Sequence, residues 1–238
     1  SKVGEVIVID NSLKGLEYNS DKVRVIVPEE NLFVNPSWNL GMREAKFDYI
    51  GILNDDILIP ENLCSEVFSF LQDDNAGLVG IDWDSIVICQ DKKLAQYPKP
   101  CTNCIYSNQE DELYLDYWGI AIFGRKSNFN EIPENIKIWC GDNFLIKMSA
   151  DSGKKNYKIH CGELYHIGSL SSRSSVYDKI KQRDVELYAK IDKKFKYHDK
   201  GIKMPKYKPL EYIFSVKNTI NKRYKVITIL GLQITRRR

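Results

Sequence analysis

Apolar positions in this chain fall into short β-branched runs separated by stretches with helical spacing. Val3–Ile9 (VGEVIVI) and Val23–Val27 (VRVIV) predict two buried parallel strands. Asp10-Asn11-Ser12 closes the first as a polar turn. Asn31–Lys46 predicts a capped helix, with Ser37 as its N-cap and Leu40, Arg43 and Glu44 inside it. Tyr49–Leu53 (YIGIL) predicts a buried strand that runs straight into Asn54-Asp55-Asp56. A second apolar run, Ile57–Ile59, stops at Pro60. Pro60-Glu61-Asn62 then opens a helix through Leu63, Val67, Phe68 and Leu71. Leu78–Ile81 and Tyr117–Phe123 predict further strands, and residues 82–113 show no clear period. Phe129–Ile138 reads as a loop. Trp139-Cys140-Gly141-Asp142 precedes a helix from Asn143 to Ser149, one short strand lies within Ile159–Ile167, and Ser171–Lys194 predicts a last helix. Strands alternating with helices imply an α/β domain with a mostly parallel, helix-flanked sheet.

Composition adds an asymmetry. The chain has 238 residues, 43% hydrophobic and 28% charged, enough for one domain with an appendage. Its net charge of +3 is unevenly spread. Residues 201–238 hold ten Lys and Arg against one acid, Glu211, so this extension carries about +9 and the rest about −6. The expected division is therefore 1–200 as the main domain and 201–238 as a basic C-terminal extension. Within the extension, the apolar stretch Tyr224–Ile234 is bracketed by Lys222, Arg223, Lys225 and Arg236–Arg238. That combination suits the surface of an anionic membrane. A solvated basic face packed on the main domain is the plainer reading. No nucleic-acid recognition motif accompanies the charge. No apolar run reaches the roughly 18 residues of a membrane-spanning helix, and no signal peptide is visible. The six cysteines are scattered and are expected as reduced thiols, which points to the cytoplasm.

The chemistry concentrates at Asn54-Asp55-Asp56. Two adjacent carboxylates at the end of a buried strand are costly unless something cationic meets them, and ligands bind at strand ends in open α/β sheets. A divalent cation with phosphate fits. A β-turn with solvated Asp and Asn is the alternative.

The ordered set EVIVIDNS (Glu5–Ser12), NPSWNLGMREAK (Asn35–Lys46), YIGILNDDILIP (Tyr49–Pro60), YWGIAIFGRKSNFNEIP (Tyr117–Pro133), IWCGDNFL (Ile138–Leu145) and YHIGSLSSR (Tyr165–Arg173) resembles the family 2-like glycosyltransferases of GT-A fold that build bacterial surface polysaccharides. The likeness covers residues 3–200. It departs in two places. The strand and helix that usually open the fold are missing, so a preceding segment is expected. The metal motif, usually Asp-x-Asp, begins here with Asn54.

The resemblance implies a nucleotide-sugar donor, a glycan or lipid-linked glycan acceptor, and Mn²⁺ or Mg²⁺ as cofactor. It implies a place at the inner face of the membrane. It also assigns roles. Asp56 and His166 are candidate metal ligands. Asp10, Asn11, Asn54, Asp55 and Arg173 are candidate nucleotide-sugar contacts, and Asp142 is the candidate general base of an inverting transfer. Each has a plain structural alternative: strand-end turns for Asp10 and Asn11, an N-cap for Asp142, charge compensation for Arg173. Trp118 and Trp139 are expected in the core rather than on a sugar face. Two rival functions remain open from the sequence, a nucleotidyltransferase and a non-catalytic GT-A-like binding module.

Overall fold

The computed structural model describes residues 3–89, 98–101, 104–108, 118–167 and 177–195, together with the backbone of 214–218, 224–229 and 232–237. The chain divides into two compact units, Ser1–Ile202 and Lys203–Arg238.

The first unit is a mixed α/β domain. Strands β1 (Val6–Ile9) and β2 (Val23–Ile26) pair in parallel. Helix α1 (Val34–Glu44) follows. Strand β3 (Tyr49–Leu53) leads to the short β4 (Ile57–Leu58) and helix α2 (Leu63–Phe70). Next come β5 (Ala76–Ile81), β6 (Ile86–Ile88), β7 (Ile105–Asn108) and β8 (Ala121–Arg125). Helix α3 (Gly141–Asp151), β9 (Lys155–His160), β10 (Leu164–His166) and helix α4 (Asp178–Ile191) complete it.

The central sheet has the order β3-β8-β5-β9-β7. Strands β3, β5 and β9 run one way, and β8 and β7 run against them. The sheet is therefore mixed. Most neighbouring pairs are antiparallel because β8 inserts between β3 and β5. Apolar residues alternate across the sheet, as strand geometry requires. Val79, Ile81, Ala121, Phe123 and Ile159 form one cluster with Leu63, Val67 and Leu71 of the α2 region. All eight are almost completely buried, and each large aliphatic among them contributes about 1.5–3 kcal/mol by leaving water. Helix α3 packs against β5 and β9. It comes so close at Gly77 that an added Cβ would lie 2.5 Å from Ser149 Oγ.

Several boundaries moved. Helix α1 starts three residues before Ser37, which lies inside it and donates to the Phe33 carbonyl. Ser37 is thus no N-cap. The apolar run at 117–123 is not one strand: Trp118–Ile120 form a 3₁₀ turn before β8. Trp118 is 1% exposed and fills the space left by Gly80, where a Cβ would sit 2.5 Å from its ring. Cys101 and Cys104 are joined in a disulfide rather than reduced. Asn62 holds that turn, accepting from the Cys101 amide and donating to its carbonyl, each at 2.7 Å.

In the second unit, β11 (Phe214–Asn218), β12 (Tyr224–Ile229) and β13 (Leu232–Arg237) form an antiparallel meander. Its register places Phe214, Val216, Ile227, Ile229, Leu232 and Ile234 on one face. Asn218, Lys225 and Arg236 form the next row of that face.

Candidate active site

Strand β3 lies at the sheet edge, so it is half-buried, and Leu53 is 39% exposed. This corrects the premise of a buried strand and separates the two carboxylates that end it. Asp55 is exposed and solvated. Asp56 is folded back, its side chain 25% exposed. The reason is the second small sheet, β4-β10-β6. Strand β10 pairs antiparallel with β4, His166 opposite Ile57, and the Ile167 amide donates to the Asp56 carbonyl at 2.8 Å. This register brings Asp56 Oδ1 to 3.2 Å from His166 Nε2. Both atoms are covered, and neither has a hydrogen-bond partner of proper geometry. The two atoms make an ion-pair contact without good hydrogen-bond geometry, which leaves room for a cation to serve both. They form a donor set of one oxygen and one imidazole, which suits Mn²⁺ as a partial coordination shell. Among the described residues no group of three or more His, Cys, Asp and Glu could hold a metal by itself.

Asp142 sits in the first turn of α3. Its Oδ2 accepts from the Gly119 amide at 3.0 Å and its Oδ1 from the Asn143 amide at 2.9 Å. The surroundings are crowded, although the side chain keeps partial exposure. Burial raises its carboxyl above the ordinary aspartate value, and the backbone amides oppose this more weakly. Each oxygen retains a lone pair. One residue after Gly119, the Ile120 carbonyl accepts from the Asn54 amide at 3.0 Å. The turn Trp118–Ile120 therefore ties the end of β3 to Asp142.

The approach to Asp142 is fixed from both sides. Asn35 is fully buried in α1, and its Nδ2 donates to the carbonyls of Ile136 and Trp139, both at 3.1 Å. Asn39, one turn on, accepts from the Ile132 amide at 2.9 Å and donates to its carbonyl at 2.7 Å. Asp184 of α4 receives the amides of Lys137, Ile138 and Trp139. Cys140 then turns through φ 62°, in the left-handed region, before α3 begins. Its buried thiol is pushed up by desolvation and by Asp142. None of Asn35, Asn39 and Asp184 was picked out from the sequence. The spacing of Asn35 and Asn39, two polar residues at i and i+4 of one helix, is the signal that could have found the first two.

The remaining expected residues fall as follows. Asp10 ends β1, and its Oδ1 accepts from the Ser12 amide at 2.9 Å. Hydrogen bonds from Ser12 hold its carboxyl below the ordinary value, while its Oδ2 is covered and unpartnered. Asn11 uses its whole amide inside the protein. It accepts from Leu32 N at 3.0 Å and donates to Ser37 Oγ at 2.9 Å and to the Phe33 carbonyl at 3.3 Å. It braces the start of α1. Asn54 is half-buried. Trp139 lies under Lys181, whose Nζ is 4.5 Å from the ring centroid. Arg173 lies outside the described residues.

The family profile described as Glycosyl transferase family 2 matches residues 5–153. That span includes Asp10, the Asn54-Asp55-Asp56 triplet and Asp142, and ends before His166. No match was found among curated proteins.

Proposed function

The chain belongs to glycosyl transferase family 2, and its mixed α/β domain has the GT-A fold; from that premise we propose that residues 1–200 form a metal-dependent catalytic domain. It moves a sugar from a nucleotide-sugar donor to a glycan or lipid-linked glycan, with inversion, in the synthesis of a bacterial surface polysaccharide. The family membership removes the need for the nucleotidyltransferase reading.

The observation that carries the proposal is the pair Asp56 Oδ1 and His166 Nε2, 3.2 Å apart, covered from solvent and in an ion-pair contact without good hydrogen-bond geometry. These two atoms would hold Mn²⁺ or Mg²⁺. The bound ion supplies charge neutralisation at the leaving diphosphate. The chain does the rest. Asp10, Asn11, Asn54, Asp55 and Arg173 are assigned to the nucleotide-sugar. With its amide engaged by Leu32, Phe33 and Ser37, Asn11 acts by shaping the turn beside Asp10. Asp142 takes the proton of the acceptor hydroxyl. Its raised proton affinity suits that task, because a base works best when its own value lies near the working pH. Gly119 and Asn143 hold the carboxylate still while it does so.

The basic extension, 201–238, is assigned to an anionic membrane surface at the cytoplasmic side. Six apolar residues share one face of its meander, and Lys225 pairs with Arg236 in the adjoining row. Apolar area beside positive charge is what binds an interface of anionic lipid, and a lipid-linked acceptor would be met there. No helix among the described residues is long and apolar enough to cross a membrane.

The test is release of nucleoside diphosphate from a panel of UDP-, GDP- and dTDP-hexoses, with and without Mn²⁺. Turnover should need Mn²⁺ and vanish in Asp56→Ala. Equal turnover in parent and variant would refute the assignment.

A further inference from the structure

Asp184 is a fully buried carboxylate in α4, 42 residues beyond Asp142 in the sequence. Its Oδ1 accepts from the Lys137 amide at 3.0 Å. Its Oδ2 accepts from the amides of Ile138 at 2.7 Å and Trp139 at 3.0 Å. Three consecutive N–H groups converging on two oxygens demand an acceptor at both. Opposite them, Asn35 receives nothing but gives: its Nδ2 takes the Ile136 and Trp139 carbonyls, and its backbone amide takes the Lys137 carbonyl at 2.9 Å. The peptides of 136–139 are thus held on both edges. One helical turn beyond Asp184, the Tyr188 hydroxyl donates to the Asn143 carbonyl at 3.0 Å. Helix α4 therefore grips the backbone immediately before and immediately after Cys140-Gly141-Asp142.

We propose that Asp184, assisted by Tyr188, is a positioning residue for Asp142: by fixing the Lys137–Trp139 backbone it sets the left-handed turn at Cys140 and aims the Asp142 carboxylate at Gly119. This rests on the reading of Asp142 as the base. The physical ground is the cost of the arrangement. A carboxylate without solvent is tolerated only when fully hydrogen-bonded, and Asp184 is the acceptor these three amides require. The three bonds all go to one short segment that runs directly into Cys140-Gly141-Asp142. Angular errors there matter, since a misplacement of about 1 Å can cost about 100-fold in rate.

The test compares full-length parent, Asp184→Asn, Tyr188→Phe and Asn128→Ala by carbon NMR titration of the Asp142 carboxyl. Turnover is measured alongside, on whichever UDP-, GDP- or dTDP-hexose the parent hydrolyses fastest with Mn²⁺. Asp184→Asn keeps the shape of the side chain but replaces one acceptor by a donor that faces an N–H. It should shift the Asp142 midpoint, because the Gly119 amide that favours the carboxylate and the burial that opposes it change together. It should also lower kcat by about 10- to 100-fold, with KM changed by less than about threefold. Tyr188→Phe should act in the same direction and less. Asn128 holds the carbonyls of Ala76 and Gly77, so Asn128→Ala should lower the melting temperature and leave the Asp142 midpoint alone. If Asp184→Asn does not fold, Tyr188→Phe decides. The proposal is overturned if the variants melt earlier than the parent while the Asp142 midpoint and kcat stay put. Full turnover by Asp142→Asn would instead sink the base reading, and the midpoint would still report whether Asp184 positions Asp142.

Discussion

Gly141→Ala isolates the clamp that carries Asp142. Alanine at the start of a helix is ordinarily neutral or favourable, by up to about 1 kcal/mol over glycine. Here the added Cβ would overlap Asn35 Oδ1 and lie 2.7 Å from Asn35 Cγ. Asn35 has nowhere to retreat. It is 0% exposed, and its Nδ2 is spent on the Ile136 and Trp139 carbonyls. Moving it breaks both bonds, worth about 1 kcal/mol each net, and crowding a packed site adds about 1–3 kcal/mol. The clash therefore outweighs the helix preference, and the expected cost is about 3–4 kcal/mol. For a chain of this size that is roughly a 10 °C fall in melting temperature. The assay is urea unfolding followed by circular dichroism, run as a cycle with Asn35→Ala. Removing the Asn35 amide opens the space, so Gly141→Ala in that background should cost under about 1 kcal/mol. The two sites should be coupled by about 2–3 kcal/mol. Equal cost of Gly141→Ala in both backgrounds would show that Asn35 is not what the added methyl meets.

Three further outcomes are expected. Asp142→Asn should lower kcat by about 100- to 10,000-fold, with nucleotide affinity unchanged by equilibrium dialysis. Burial raises the Asp142 carboxyl, so the folded protein keeps that proton to higher pH than the unfolded chain. The cost of burying the charge is absent below the unfolded value and fully present once pH has risen through the folded one. Urea midpoints should thus favour Asp142→Asn progressively over the parent as pH rises from about 4; parallel curves would contradict this. The full chain should bind vesicles of phosphatidylserine more tightly than vesicles of phosphatidylcholine. Sedimentation should show that preference falling with added salt and in Lys225→Glu/Arg236→Glu; salt-independent binding would remove the charge from the account.

Local pattern sufficed where local physics decides. The β-branched runs became β1, β2 and β5, and Leu63, Val67 and Leu71 do face the sheet. Asp56 and His166, 110 residues apart and named together only through the family resemblance, lie side by side through the pairing of β4 and β10. What escaped depends on distant partners. Ser37 has the chemistry of a cap, but Asn11 and Phe33 engage it and the helix starts earlier. Tyr49–Leu53 is apolar enough for a central strand, yet it lies at an edge, which leaves Asp55 in water. Asn35 and Asp184 act on peptides 101 and 46 residues away. Backbone groups leave no mark in a pattern of side chains, so neither partner could be read beforehand.

Asp56 and His166 are proposed to hold Mn²⁺ at the donor's diphosphate. Thermal shift with UDP, GDP and dTDP, with and without Mn²⁺, is the decisive measurement. A ligand confined to the folded state stabilises it by about 2.7 kcal/mol at 100 times its dissociation constant. At least one nucleotide should raise the melting temperature of the parent by roughly 5 °C or more, only with Mn²⁺. Asp56→Ala and His166→Ala should lose that shift. A Mn²⁺-dependent shift of the same size in both variants, or none in the parent with any nucleotide, would contradict the claim.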